Sequence, residues 1–268
     1  IITDKLQLEK NKPNLSAWKK VVKRKIKPSK SVNVSFVGKY VDLKDAYFSL
    51  TEALDHAGIN NDTKVNINFV NSDELNNKNY SSKLKKSDAI LVPGGFGGRG
   101  IEGMILAAKY AREKKVPYFG ICLGLQIAII EIARNLCGLK DANSTEFKPR
   151  TKHKVISLIT EWKNEDGSIE KRDKNSDKGG TMRLGAQKAK LKKNSLAHKL
   201  YKKTNIFERH RHRYEVNPEY VSELEKKGLL ISARSEIHNL VEIIGMKDHP
   251  WYLGCQFHPE FTSKPKTG

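Results

Sequence analysis

Short apolar runs alternate with helix-period stretches along most of the chain. Residues 32–38 (VNVSFVG) alternate apolar and polar positions, the two-residue period of a strand, and 45–54 read as a helix. A second strand is predicted over 64–70, then a lysine-rich helix or loop, then a buried-type strand over 88–93. Residues 103–115 form a predicted helix leading into an apolar strand at 116–119. The chain then pinches at 120–124 and continues as a helix over 126–134. Strand and helix in such short alternation predict a parallel sheet covered on both faces, with any active site at the carboxyl ends of its strands. Beyond residue 140 the rhythm changes. Strands are predicted at 155–162, from 181, at 229–233, 240–246 and 251–258, with a charged hairpin or loop over 164–180 and a helix over 218–227. Residues 1–31 are polar and basic with one short amphipathic piece at 15–22, too little for a core of their own, and read as a linker or the tail of another domain.

The pinch carries the first candidate chemistry. Cys122 lies between Gly120 and Gly124 at a strand-to-helix turn, the thiol form of a nucleophile elbow. Glycines suit a sharp turn where neighbouring elements pack too closely for a Cβ. The helix that follows favours a thiolate at its N-terminus and offers the Leu123 N–H to a developing oxyanion. Residues 93–100 (PGGFGGRG) hold five glycines in eight positions directly after a strand. The lysine and hydroxyl of a nucleotide-phosphate loop are missing, so the better reading is a loop whose N–H groups face the neighbouring strand end, Gly95 opposite Leu123. A buried core cysteine and a flexible turn are the plain alternatives for each motif taken alone.

Charge changes this picture little. The chain carries a formal net charge of +20, and residues 1–31 contribute ten Lys or Arg against two acids. The remaining excess is diluted along exposed stretches, without a basic recognition helix or zinc-finger spacing, so nucleic-acid binding is not expected. Three cysteines (Cys122, Cys137, Cys255) without paired spacing give neither a disulfide framework nor a metal site. No apolar run reaches the roughly eighteen residues of a membrane span, and the expected location is the cytoplasm.

A thiolate nucleophile needs a base, and the base an orienting carboxylate. Of eight histidines, His258 is best placed, at the end of an apolar strand with Glu260 two residues on across a proline. His210 and His212 alternate with Arg209, Arg211 and Arg213 and are expected to line a strand face without partners for a metal.

Taken together, PGGFG (93–97), GICLG (120–124) and FHPE (257–260) resemble the class I, triad-type glutamine amidotransferases. The longer stretches VGKYVDLKDAY (37–47), DANSTEF (141–147), GGTMRLGAQ (179–187), ERHRHRYEVN (208–217) and HPWYLGCQFHPEFTS (249–263) resemble the amidotransferase domain of the CTP synthase family. The resemblance implies a flavodoxin-like α/β fold, a mostly parallel central sheet flanked by helices with additional antiparallel strands. It implies a linker over 1–31 and the amidotransferase domain over 32–268. It also implies a catalytic triad of Cys122, His258 and Glu260, an oxyanion hole from Gly95 and Leu123, and L-glutamine contacts from Gly95, Leu123, Gly124, Leu125, Gln126, Glu146 and Arg213. The α-amino group wants a carboxylate and the α-carboxylate an arginine fork, for which Arg209 and Arg211 rival Arg213.

In that family ammonia passes to a synthetase domain that aminates UTP with ATP and magnesium, while GTP stimulates glutamine hydrolysis. This chain would need no cofactor of its own and would partner an amino-terminal synthetase domain. The family implies a homotetramer for the full enzyme and leaves a monomer open for the fragment. Family position puts Arg172 and the neighbourhood of Gly179 and Gly180 toward GTP, against the plain reading of a solvated hairpin. Gly98 departs from the family pattern, which has a tyrosine there. Two other readings remain at this stage. A stand-alone γ-glutamyl-type cysteine hydrolase needs no partner domain, and a non-catalytic amidotransferase-fold regulatory module would usually have lost one of the triad residues, all of which are present.

Overall fold

The computed structural model describes residues 2–7, 13–41, 43–158, 161–163, 169–171 and 182–267. In chain order the helices are α1 (Ile2–Lys5), α2 (Ser16–Ile26), α3 (Phe48–Asn60), α4 (Tyr80–Leu84), α5 (Ile101–Lys114), α6 (Leu123–Asn135), α7 (Leu196–Tyr201) and α8 (Pro218–Lys226). The strands of the first half are β1 (Lys30–Gly38), β2 (Thr63–Asn71), β3 (Ala89–Val92), β4 (Tyr118–Ile121), β5 (Ala142–Ser144), β6 (His153–Leu158) and β7 (Glu161–Lys163). Those of the second half are β8 (Ile169–Lys171), β9 (Arg183–Leu191), β10 (Asn205–His212), β11 (Tyr214–Val216), β12 (Leu229–Ser235), β13 (Val241–Met246) and β14 (Tyr252–Cys255).

One sheet of nine strands, ordered β10-β9-β12-β13-β14-β4-β3-β1-β2, organises the chain. Strands β2, β1, β3, β4 and β14 run parallel, in the 2-1-3-4-5 order of flavodoxin-like folds. From β14 outward the pairing turns antiparallel through β13, β12, β9 and β10. A small sheet, β11-β6-β5, and a β7-β8 hairpin complete it. Each face of the large sheet is buried by its own apolar cluster. Helices α5, α6 and α8 supply one cluster, with Ile105, Leu125, Ile129 and Leu224, and α3 and α7 supply the other, with Leu50 and Ala197. Among the described residues, no helix is long and apolar enough to cross a membrane.

Register explains why distant motifs meet. Gly120 pairs with Val92 of β3 on one side and with Gly254 of β14 on the other. The Cys122 N–H donates to the Cys255 carbonyl at 2.7 Å. Whatever follows β3, β4 and β14 therefore converges on one spot: the glycine loop, Cys122 and His258.

Several predicted bounds shift. The helix expected at 45–54 begins as a 3-10 turn, Lys44–Tyr47, and the α-helix proper is α3, running on to Asn60. The last strand stops at Cys255, three residues short of His258: the Gln256 N–H still meets the Glu242 carbonyl of β13, but the His258 N–H turns to the Arg209 carbonyl of β10. In β10 the alternation puts His210 and His212 inward, 0% and 2% exposed, and Arg209 and Arg211 outward. Those histidines are core residues. The basic stretch before β1 is not detached: on α2, Arg24 donates to the Asn60 carbonyl at 2.8 Å and Lys25 pairs with Asp55, although α2 buries none of its own residues. The GTP expectation for Arg172, with Gly179 and Gly180, lies outside the described residues.

Candidate active site

Cys122 sits at φ 52° and ψ −98°, a conformation β-carbon-bearing residues rarely adopt, between β4 and the first turn of α6. Two glycines make the turn possible. A Cβ on Gly120 would stand 2.5 Å from the Gly124 carbonyl carbon, and one on Gly124 would stand 2.2 Å from the Val92 carbonyl oxygen. Both distances are far inside contact, and backbone cannot yield as a flexible side chain would.

His258 reaches the same spot after β14. Its N–H donates to the Arg209 carbonyl at 2.8 Å, which ties it to the antiparallel half of the sheet. Its Nδ1 lies 2.8 Å from Oε1 of Glu260, with both side chains largely buried. Burial opposes the imidazolium, but hydrogen bonds to Cys122 and Glu260 and the charges they carry outweigh it, lifting the His258 pKa to about 10. His258 therefore holds its proton at neutral pH, between the Cys122 sulfur and the Glu260 carboxylate.

The glycine loop closes over this group. A Cβ on Gly94 would come within 2.7 Å of His258 Cε1 and 3.5 Å of Cys122 Cβ, so the backbone there lies directly against both. Gly95 packs beside the Leu123 side chain. Three side chains clamp the loop. Lys39 donates to the carbonyls of Phe96 and Gly97, Glu146 Oε1 accepts from the Gly97 N–H at 2.7 Å, and Arg99 donates to the Lys39 carbonyl at 2.7 Å. Burial pushes the Lys39 ammonium down to about 8 against the nearby Glu146 charge, and burial raises Glu146 against Lys39 and Arg213. Lys39 was legible only as part of a motif, since nothing in a strand-end lysine announces that it will be buried. Gly98 faces Phe147, with room for a Cβ at 3.7 Å.

The remaining expected contacts divide. Glu146 and Arg213 share one electrostatic neighbourhood. Arg209 instead lies over the Phe261 ring at 5.0 Å and Arg211 over the Phe96 ring at 5.9 Å. Leu123, Gly124, Leu125 and Gln126 form the first turn of α6 and are all buried. Leu125 belongs to the core, and the Gln126 amide donates to the Tyr214 carbonyl at 3.1 Å. What this turn offers a substrate is therefore backbone.

One residue had no sequence signal of its own. Gln256 is fully buried and its Nε2 lies 3.6 Å from Cys122 Sγ, within hydrogen-bond reach of sulfur. Behind it lies a buried charge network: Arg183 donates to Glu215 at 2.9 Å and to Glu242 at 2.7 Å, and Glu242 also meets His210 Nε2 at 2.8 Å. Among the described residues, no cluster of side chains suits a metal ion.

This geometry can be set beside known proteins. The family described as glutamine amidotransferase class-I matches residues 42–268. The chain belongs to the class-I glutamine amidotransferases. Among solved structures it is similar to the glutaminase domain of Trypanosoma brucei CTPS with bound acivicin, at 39% identity and a TM-score of 0.78, over 88% of this chain and 89% of that one. A glutamine amidotransferase from Methylobacillus flagellatus shares the fold at 13% identity and a TM-score of 0.50, over 85% of this chain and 70% of that one. The class-I fold, a large mostly parallel sheet with flanking helices and added antiparallel strands, is as the sequence led us to expect. The family match starts at residue 42, whereas the first strand of the sheet starts at Lys30.

Proposed function

We propose that this chain is the glutaminase portion of a CTP synthase, hydrolysing L-glutamine and delivering ammonia to a synthetase domain that aminates UTP. The observation that carries the reading is His258 bridging Cys122 and Glu260 beside the glycine loop, in a chain 39% identical to the Trypanosoma glutaminase domain. In this reading Cys122 Sγ attacks the side-chain amide carbon of glutamine as the thiolate whose proton His258 holds. The oxyanion that forms is held by the N–H groups of Gly95 and Leu123, each worth roughly 2.7–4 kcal/mol at such sites. As the C–N bond breaks, the His258 imidazolium gives its proton to the departing nitrogen, which leaves as ammonia.

The same histidine then has to act as a base. Acylation of Cys122 removes one of the two partners that hold His258 protonated, leaving Glu260 against burial. Its proton affinity falls just when it must take a proton from the water that attacks the thioester, releases glutamate and restores the thiolate beside a protonated His258. Glu146 and Arg213, whose charges act on one another, are read as receiving the α-amino and α-carboxylate groups of the substrate. Residues 1–31, whose helix α2 reaches α3 through Arg24, are read as the linker from the synthetase domain.

The test is covalent. Treatment with the glutamine mimic 6-diazo-5-oxo-norleucine, digestion and mass spectrometry are expected to place the label on Cys122, with glutamine and acivicin protecting. A folded protein that stays unlabelled even with a synthetase domain and GTP present would sink the reading and leave a non-catalytic module.

A further inference from the structure

The glycine loop after β3 carries the Gly95 N–H that the glutaminase reading assigns to the oxyanion. Glycines have neither a Cβ nor a rotamer to hold such an N–H in one direction. The next peptide along, Phe96–Gly97, is gripped at both ends. Its carbonyl accepts from the Lys39 ammonium at 2.9 Å, and its N–H donates to Oε1 of Glu146 at 2.7 Å. A planar trans peptide sends its carbonyl and its N–H in opposite directions, so a cation on one side and a carboxylate on the other fix its plane. The same ammonium also donates to the Gly97 carbonyl and lies 5.9 Å from the centre of the Phe147 ring. Lys39 is itself pinned just beyond β1. Its carbonyl accepts from Arg99 at 2.7 Å, its N–H donates to the Tyr47 hydroxyl at 3.3 Å, and only 4% of the residue is exposed.

We infer that Lys39 is a positioning residue for glutamine hydrolysis: its ammonium, opposite Glu146, locks the Phe96–Gly97 peptide and thereby holds the Gly95 N–H on the oxyanion. The inference rests on the glutaminase reading and names the group that keeps its donor preorganised. In this role Lys39 acts through the loop and not on the substrate. It also gives the site an alkaline limit. Burial brings Lys39 down to about 8, with Glu146 and Asp73 favouring its charge and Arg99 opposing it, while His258 holds its proton up to about 10. The Tyr47 hydroxyl beside it is raised by burial and stays neutral across this range. Between about pH 8 and about pH 10 the triad therefore keeps its proton while Lys39 loses its own. A neutral amine is the weaker donor to both carbonyls, so the loop loosens and turnover falls without any change at Cys122.

Glutamine hydrolysis is measured against pH for wild type, Lys39→Met and Lys39→Gln, with a synthetase domain and GTP supplied. Lys39→Met loses the donor and is expected to lower kcat roughly ten- to hundred-fold, part of what a lost oxyanion donor costs, with KM changed far less. Lys39→Gln keeps a neutral donor and is expected to fall between. Wild-type kcat should drop above about pH 8, and neither variant should show that break. Alkylation of Cys122 by iodoacetamide needs the thiolate but forms no oxyanion, so its rate should be the same in all three proteins. An unchanged kcat, the same break kept in the variants, or alkylation that falls in step with kcat overturns the inference. A second readout needs neither turnover nor a variant, and so stands even if both variants unfold. In wild type the ¹³C shifts of the Phe96 and Gly97 carbonyls should titrate together with the ¹⁵N shift of Lys39 Nζ. Carbonyls that ignore Nζ while glutamine is still hydrolysed overturn this inference alone. Carbonyls that follow Nζ in a wild type that never hydrolyses glutamine overturn the glutaminase reading, and the role of Lys39 in hydrolysis falls with it.

Discussion

The side-chain amide of Gln256 donates toward Cys122 Sγ across 3.6 Å while its oxygen accepts from Gln126 Nε2 at 3.3 Å. Gln126 in turn reaches the Tyr214 carbonyl, so a chain of amides runs from the small sheet to Cys122. An N–H aimed at sulfur stabilises a thiolate more than a thiol, since hydrogen bonds to charged groups are the stronger ones.

Gln256→Leu removes that donor with little change of volume. Hydrogen bonds to charged groups contribute about 1.5–3 kcal/mol, which predicts a fall of roughly ten-fold or more in kcat for glutamine hydrolysis, with KM little changed. Steady-state glutaminase assays on the folded variant check it, and an unchanged kcat would show that the contact does not act on the sulfur.

Which parts of this site could be read from sequence follows from how each contact is built. Cys122, the glycine loop and His258-Pro259-Glu260 are local: each is a short segment whose residue types state its own geometry. Gln256 lies two residues from His258 yet carries no signal of its own, because its partner Cys122 follows another strand and a buried glutamine has no periodic signature. The same holds for Lys39. For His210 there is a further reason: its acidic partner Glu242 is on β13, and only the β10–β9–β12–β13 order brings it near, whereas His212 meets Glu215.

The His258 pKa sets a pH prediction. A histidine whose folded pKa, about 10, lies above the ordinary value of 6.5 contributes stability fully present below pH 6.5. That contribution is lost as the pH rises through about 10. Glu260→Gln removes one of its two partners, so the Tm gap between wild type and variant is expected to be widest at pH 6 and to narrow toward pH 10. Thermal unfolding across that range measures it, and a gap that widens with pH would contradict the assigned interaction.

Two glycines of one loop are expected to behave oppositely. Gly94→Ala sets a Cβ 2.7 Å from His258 Cε1, so the imidazole must move away from Cys122. Labelling by 6-diazo-5-oxo-norleucine should drop by roughly a hundred-fold or more, the usual penalty for an ångström-scale misplacement of a catalytic group. Gly98→Tyr places its Cβ in ordinary contact with Phe147, 3.7 Å away, and should leave stability within about 0.5 kcal/mol of wild type. Comparing labelling rates and urea midpoints of the two variants decides the point.

The charge network behind Gln256 gives the last prediction. Arg183 is shared by two buried carboxylates, Glu215 and Glu242, and burial acts on both. For Glu242, burial is outweighed by His210 and Arg183, and its pKa falls. For Glu215, burial wins over Arg183, the neighbouring Glu242 charge adds to it, and its pKa rises to about 8. One acid therefore holds its proton at neutral pH and the other does not. Arg183→Met leaves Glu242 without its main cation and should cost about 3–5 kcal/mol in urea unfolding, as the breaking of buried pairs does. Glu215→Gln replaces an already neutral acid with a neutral amide and should cost far less at pH 7. The sign with pH follows from proton binding: between the ordinary 4.5 and about 8 the folded wild type holds more protons on Glu215 than the unfolded chain. Its stability from this group therefore falls as pH rises through that window, and Glu215→Gln should remove that decline. If Glu215→Gln proves as damaging as Arg183→Met at pH 7, Glu215 is ionised in the folded protein, and the proton sits elsewhere in the network.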